Sequence, residues 1–202
     1  MSIKMRKDPI EAKEMMRTNL TKMMAKQAFR TPNLSRLSRE RADRIPEVQS
    51  ALPTYNLGLE DLARERDMKR AKEVGWRYLL KEDQEVIASV DILTKRNEQP
   101  VFAQTNEGPY VRGISKALTS VTETEVVQRK DFEARVLTIP ALRIVALWLK
   151  DDDGNEDIIM PIEPTPPPLV ANKEMSVEEF LEVVGKQAEE LLALYTSDEM
   201  GG

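Results

Sequence analysis

The most apolar stretch of the chain runs for nine residues from Ala141 to Leu149 and contains one charge, Arg143. A helix that spans a membrane needs about 20 predominantly apolar residues, so this stretch is too short for that role. A short apolar run bounded by polar residues is typical of a buried strand. The chain is therefore expected to fold around a buried sheet.

Strand and helix patterns alternate from Gly75 onward. Gly108 and Pro109 are typical of a helix start, and Ser176 with Glu179 has the spacing of a capping box before the last helix. Strand patterns occupy residues 76–80, 85–93, 132–137, 142–149 and 158–162. This ββ-α-βββ-α order predicts an α+β fold, with an antiparallel sheet of about five strands and helices on one face, preceded by a mostly helical N-terminal arm.

Composition divides the chain into three predicted parts. Residues 1–50 form a basic helical arm, residues 51–74 a charged helical linker, and residues 75–202 the α+β domain with an acidic C-terminal helix. Both tryptophans and most of the β-branched apolar runs lie in the third part. We therefore expect that part to fold without the arm.

Charge is segregated along the chain, although the net charge is only −5. Residues 1–50 carry twelve basic and six acidic side chains, whereas residues 151–202 carry two basic and fourteen acidic ones. Fields of either sign steer association with oppositely charged surfaces. A protein partner, or self-association between copies, is therefore predicted.

A basic amphipathic helix is predicted from about residue 9 to residue 29. Its apolar face is rich in methionine, which suits an adaptable groove on a partner. The candidate partner-binding residues are Lys13, Met16, Arg17, Leu20, Lys22, Met23, Met24 and Lys26. The alternative is that this helix packs on its own domain. Nucleic-acid binding is disfavoured because few aromatic residues accompany the charges, and membrane adsorption because bulky apolar residues are scarce on this face.

Catalytic chemistry has little support in the composition. The chain has no cysteine and no histidine, which excludes thiolate nucleophiles, imidazole bases, disulfides and soft-ligand metal sites. Phosphate-binding glycine loops and serine-nucleophile motifs are missing as well. No catalytic residue, metal or cofactor is predicted, and enzyme activity is left open without support.

One loop offers a possible small-ligand site, formed by Asn106, Glu107, Gly108 and Tyr110. Polar side chains and unpaired backbone N–H groups at a helix N-terminus can hold an anion or a carbonyl group. Plain capping of the helix by Asn106 or Gly108 is the alternative interpretation.

The acidic run from Asp151 to Asp157 resembles the start of a calcium loop, with oxygen ligands at alternating positions. Its glycine falls at the fourth position instead of the sixth, and Ile162 stands at the twelfth, where such loops have glutamate. Asp-Gly between two strands is typical of a hairpin turn. A solvated hairpin is therefore expected.

Two functions follow from these patterns. The first is a non-catalytic accessory or assembly protein of the cytoplasm that binds a partner through the basic first helix. The second is a small-ligand-binding α+β domain, or an unusual enzyme, with a site near residues 105–110. A deep pocket lined by Trp76, Tyr110 or Trp148 would favour the second function, and a detached first helix would favour the first.

Overall fold

The computed structural model describes residues 3–121, 130–152 and 156–199, with side chains as far as residue 195. The fold is α+β, with five helices and nine strands in these residues. The helices are α1 Ile10–Ala25, α2 Pro32–Glu40, α3 Leu59–Glu65, α4 Pro109–Val121 and α5 Val177–Glu199. The strands are β1 Ile3–Lys4, β2 Glu47–Asn56, β3 Lys72–Glu82, β4 Glu85–Leu93, β5 Val101–Asn106, β6 Phe132–Ile139, β7 Ile144–Asp151, β8 Ile158–Pro161 and β9 Met175–Ser176.

All of these strands form one mixed sheet in the order β5-β4-β3-β2-β6-β7-β8-β9, with β1 beside β6. Strand β6 runs parallel to both β1 and β2, and the other pairs are antiparallel. The predicted five-stranded antiparallel sheet is therefore wrong. Strand β2 was missed because Pro53 argues against a central strand. The pairing of β2 with β6 begins only at Thr54, directly after that proline.

Helices cover both faces of the sheet, not one as predicted. Adjacent residues of a strand point to opposite faces, and on β3 Tyr78 packs with α1 and α2 whereas Leu79 packs with α4. On β7, Trp148 packs with α3 and α5 whereas Leu149 packs with α4. Among the described helices, α4 therefore lies alone on one face, and the other four lie on the opposite face as two pairs.

The apolar face of α1 lies inside the protein. Ala12, Met16, Leu20 and Met24 are at most 1% exposed and pack against the apolar side of β3 and β4. This is the arrangement of the alternative interpretation, in which the helix packs on its own domain. Asp8, which precedes this helix, does not cap it; its carboxylate accepts a 3.0 Å hydrogen bond from the Tyr78 hydroxyl and ties the N-terminal segment to the sheet.

Parts of the predicted arm and of the predicted linker belong to the sheet. Residues Ile3 and Lys4 pair with β6, and residues 51–56 belong to β2 between β3 and β6. The predicted helix of the linker is confined to α3, and the chain from Lys72 onward is already strand β3.

The local signals after Gly75 are confirmed. Helix α4 begins at Pro109, and Ser176 and Glu179 exchange the two hydrogen bonds of a capping box at 3.0 and 3.1 Å. No helix among the described residues has the length and apolar character needed to cross a bilayer.

Candidate functional site

Two cavities lie on opposite faces of the sheet. The first, the α4 pocket, has a volume of about 450 Å³ and is bordered by Thr54, Arg77, Asp91, Gln104, Tyr110 and Arg143. The second, the α5 cleft, has a volume of about 940 Å³ and lies between the sheet and the N-terminus of α5, with Trp148 among its lining residues. Both volumes are in the range of small-molecule sites.

An ion pair forms the polar wall of the α4 pocket. Arg77 on β3 lies opposite Asp91 on β4, and its Nε and Nη2 atoms donate to the two carboxylate oxygens at 2.7 and 2.9 Å. Gln104 and Asn106 on β5 each donate a further hydrogen bond of 3.0 Å to the same carboxylate. The side chains of Arg77 and Asp91 are only 12% and 14% exposed. Four hydrogen bonds therefore fix the Asp91 carboxylate in one position.

Asp91 is held in its charged form. Burial alone would raise the pKa of this carboxyl, but the hydrogen bonds and charge of Arg77, with the amides of Gln104 and Asn106, hold the pKa below its ordinary value. The ion pair is neutral as a unit, so it presents oriented dipoles to the pocket at little net charge.

The lowered pKa of Asp91 predicts a specific pH dependence of stability. The charged form contributes stability that is complete above the unfolded pKa, about 3.9, and is lost as the pH falls through the folded pKa. We expect wild type to be more stable than Asp91→Asn near pH 7, and this difference to shrink below about pH 4. Urea unfolding between these pH values measures it; a difference that grows on acidification would contradict the assignment.

A hydroxyl group without a partner borders the same pocket. Thr54 on β2 is 8% exposed, and its Oγ1 atom is buried without a hydrogen bond among the described residues. Thr138 on β6, which borders the pocket as well, is satisfied because its hydroxyl donates to the Tyr55 carbonyl at 3.1 Å and also contacts the Asn56 amide oxygen. Buried polar groups are usually paired, so the Thr54 hydroxyl is an exception at the border of this pocket.

Neither cavity can be assigned by likeness to another protein. No protein-family model, curated protein or solved structure matches this chain. The side chains and the geometry of the two cavities are therefore the basis for a function.

Of the four residues of the predicted ligand loop, two contribute to the α4 pocket and two have other roles. Tyr110 borders the α4 pocket and donates a 3.0 Å hydrogen bond to the Arg143 carbonyl, while Asn106 supports the pocket through Asp91. Glu107 points elsewhere: its carboxylate accepts hydrogen bonds from the backbone N–H groups of Asn33 and Leu34, at 3.0 and 2.9 Å, and so caps α2. Gly108, with φ of +114°, supplies the turn before α4.

The residues predicted for partner binding differ in solvent exposure. Met16, Leu20 and Met24 are buried and Met23 is partly buried. The basic side chains are exposed, namely Lys13, Arg17, Lys22 and Lys26. The surface of α1 therefore offers a partner charge but few apolar anchors.

The acidic hairpin lies partly outside the described residues, which omit 153–155. Its outer residues are engaged: the Asp157 carboxylate accepts from the Trp148 indole at 2.9 Å, from Lys150 at 2.9 Å and from the Asp151 N–H at 3.0 Å. Lys130 pairs with both Asp151 and Glu156. Within the described ranges no group of three or more acidic residues is placed to hold a metal ion.

Sequence reasoning missed Thr54, Arg77 and Asp91. The two strand patterns that became β3 and β4 were predicted, but a register shift after Leu80 decides which residues face each other. Without that shift Arg77 would lie opposite Val90, and a slip of one residue would turn Asp91 to the other face. Such a bulge has no signal in the residues themselves.

Proposed function

We propose that this chain is a small-ligand-binding protein and that the α4 pocket is its site. The observation that carries the proposal is the cavity of about 450 Å³ walled by the fixed Arg77–Asp91 pair, with the unpaired Thr54 hydroxyl at its border. Ligand sites of this size usually combine apolar walls with a few fixed polar groups. Tyr110 and Trp76 both border this pocket, and a pocket lined by these residues favours ligand binding over docking through a detached first helix.

Charge and hydrogen-bonding capacity point to the kind of ligand. The pocket is bordered by two cations, Arg77 and Arg143, and one anion, Asp91. Nε and Nη2 of Arg77 are used by Asp91, whereas Nη1 has no recorded partner in the described chain. Apolar walls are provided by Val74, Ile92, Leu93, Pro140, Ile144 and Val145. A small, mostly apolar molecule that ends in a carboxylate or carbonyl matches this lining.

Binding of a protein partner through α1 stays a second proposal. Its exposed cations, Lys13, Arg17, Lys22 and Lys26, form no ion pair recorded among the described residues and are available to an acidic surface. Because the methionine anchors are buried, such an interaction would rest on charge and weaken with salt. A cytoplasmic location likewise stays a prediction.

Thr54→Val tests the ligand proposal. The substitution removes a buried hydroxyl without a partner, and an unsatisfied group of this kind costs about 1–3 kcal/mol. We expect the unliganded variant to melt a few degrees higher, since about 1 kcal/mol corresponds to roughly 2–4 °C for a chain of this size. We expect its affinity for benzoate, measured by titration calorimetry, to fall about tenfold, which corresponds to about 1.4 kcal/mol.

Thr138→Val is the matched control. It removes a hydroxyl that borders the same pocket but already has partners, so it should lower the melting temperature. Benzamide has the shape of benzoate without its charge and should bind more weakly to wild type. The proposal is wrong if Thr54→Val loses stability as Thr138→Val does. It is also wrong if wild type does not bind benzoate at a concentration of about 10 mM, which corresponds to a binding free energy of about 3 kcal/mol.

A further inference from the structure

The α5 cleft is a second cavity, separated from the α4 pocket by the sheet. Its floor is formed by Tyr55, Arg135 and Trp148 from the central strands β2, β6 and β7. One wall is the segment from Asp67 to Ala71, and the other is the segment from Glu174 to Glu179, which includes β9 and the first turn of α5. Both walls contribute a methionine, Met68 and Met175.

Arg135 is held in the floor by two aromatic rings. Its guanidinium carbon lies 4.8 Å from the centroid of the Tyr55 ring and 4.7 Å from that of Trp148. The two rings meet edge to face, with centroids 5.2 Å apart and an interplanar angle of 75°. Nε of Arg135 donates to Glu133 at 2.7 Å, and its Nη atoms have no recorded partner in the described chain. The Nη atoms are therefore the available donors of a fixed fork.

Further hydrogen bonds lock these rings. The Trp148 indole donates to Asp157 at 2.9 Å, and the Tyr55 hydroxyl donates to Glu73 at 3.1 Å. Burial raises the pKa of Tyr55, so this hydroxyl stays protonated as a donor. Arg6 of the N-terminal segment also pairs with Glu73 at 2.6 Å. A guanidinium that is oriented in advance loses less entropy when it binds a carboxylate.

The walls of the cleft carry both signs of charge: Lys69 borders it without an ion pair in the described ranges, and Lys150 borders it paired with Asp157 at 2.9 Å. Glu174 and Glu178 border it and form no ion pair recorded in the described ranges, whereas Glu179 is engaged in the capping box of α5. Asp67 is likewise engaged, since it accepts from the Lys69 N–H at 2.9 Å. The cleft therefore presents a cationic fork at its floor, two available carboxylates at the wall of α5 and one available cation, Lys69, at the opposite wall.

We propose that the α5 cleft binds a zwitterionic, peptide-like ligand, with its free carboxylate on the Arg135 fork and its positive charge at Glu174 and Glu178. Arginine binds carboxylates through two parallel hydrogen bonds, which a terminal carboxylate accepts and an amide does not. The wall from Glu174 to Val177 contains β9, the last strand in the sheet order. Because β9 has two residues and the Ser176 N–H already donates to Glu179, the proposal rests on side chains and not on backbone pairing.

The size and lining of the cleft also fit a short peptide. A volume of about 940 Å³ lies near the upper end of small-molecule sites, which run to about 1,000 Å³. Methionine side chains adapt to different apolar partners, so Met68 and Met175 suit a side chain of variable shape. This site shares no residue with the α4 pocket, and either proposal can fail without the other.

The test uses the tripeptide Lys-Ala-Ala with a free carboxylate and the same peptide with a C-terminal amide. Calorimetry gives the affinity of the full chain for each, and fluorescence of a Trp76→Phe variant, whose one tryptophan is Trp148, reports binding at the floor. We expect the free acid to bind at least about tenfold more tightly than the amide, the scale of a charge-assisted bidentate contact. The peptide fused to the C-terminus of a carrier protein distinguishes a protein terminus from a free peptide as the source of the carboxylate.

Variants separate the floor from the walls. Arg135→Lys keeps the charge but loses the fork, and should weaken the free acid about tenfold while leaving the amide nearly unchanged. Glu178→Gln should weaken both peptides about equally, by a few-fold, because both carry the lysine. Glu190→Gln, an exposed change on α5 outside the cleft, should alter neither. Equal binding of acid and amide to wild type, or an equal loss of both in Arg135→Lys, would overturn the proposal.

Discussion

Deleting residues 1–50 should abolish cooperative unfolding, although the sequence predicts that the remaining domain folds alone. The deletion removes α1 and α2, which cover the apolar side of β3 and β4, together with β1 and the first residues of β2. The deletion exposes Trp76, Tyr78 and Leu80, and burial of each such side chain contributes about 1.5–3 kcal/mol. Together with the lost burial of the apolar residues of α1 and α2, this sum exceeds the typical stability of a protein. Circular dichroism during heating and in urea measures the result.

A second deletion and two point variants refine this test. Deleting residues 1–40 leaves β2 intact and should still abolish the transition, which would show that the cover of the sheet is essential. Leu20→Ala, at a site with 0% exposure, should cost about 2–5 kcal/mol. Lys13→Ala, on the exposed side of the same helix, should change stability by less than about 0.5 kcal/mol. A sharp transition near the wild-type temperature in either deletion would show that α1 is dispensable for folding.

The sequence could predict those elements whose signals are local. Helix α4 and the capping box of α5 were found because turn residues and periodicity mark them within a few positions. Strand β5, Val101–Asn106, was missed because it is an edge strand with no fully buried residue and no clear alternation. The parallel pairing of β2 with β6 joins residues about 80 positions apart, and no local pattern records such a pairing.

The candidate sites follow the same division. Tyr110 and Asn106 were found because they flank a helix start, which the sequence marks directly. Arg135 was missed because a single arginine in a strand pattern looks like a solvated side chain. Only the order of β2, β6 and β7 in the sheet brings Tyr55 and Trp148 to its two sides. The strand order therefore brings residues of different strands together in one site, and a single sequence does not give that order.

Gly75→Ala should be among the most destabilising single substitutions in the protein. Gly75 lies in β3 between Thr54 on β2 and Leu93 on β4, in the middle of the sheet. A Cβ atom added there would lie 2.0 Å from the carbonyl oxygen of Ile92 and 2.9 Å from the Leu93 Cα. Both are backbone atoms held by the sheet, so they cannot move as a flexible side chain could. We expect a cost above about 3 kcal/mol, measured by urea unfolding.

Gly108→Ala is the matched control, because φ at Gly108 is +114° but an added Cβ would meet nothing within 4 Å. It isolates backbone strain, which costs about 1–3 kcal/mol, from the steric clash at Gly75. Gly75 also borders the α4 pocket, so it has two possible roles, in the close approach of β3 and β4 and in the shape of the pocket. Benzoate binding by the folded fraction of Gly75→Ala distinguishes these roles. If the glycine is needed for the close approach of β3 and β4, Gly75→Ala should be less stable than wild type. A variant that keeps wild-type stability but no longer binds benzoate would show that its role is to keep the pocket open.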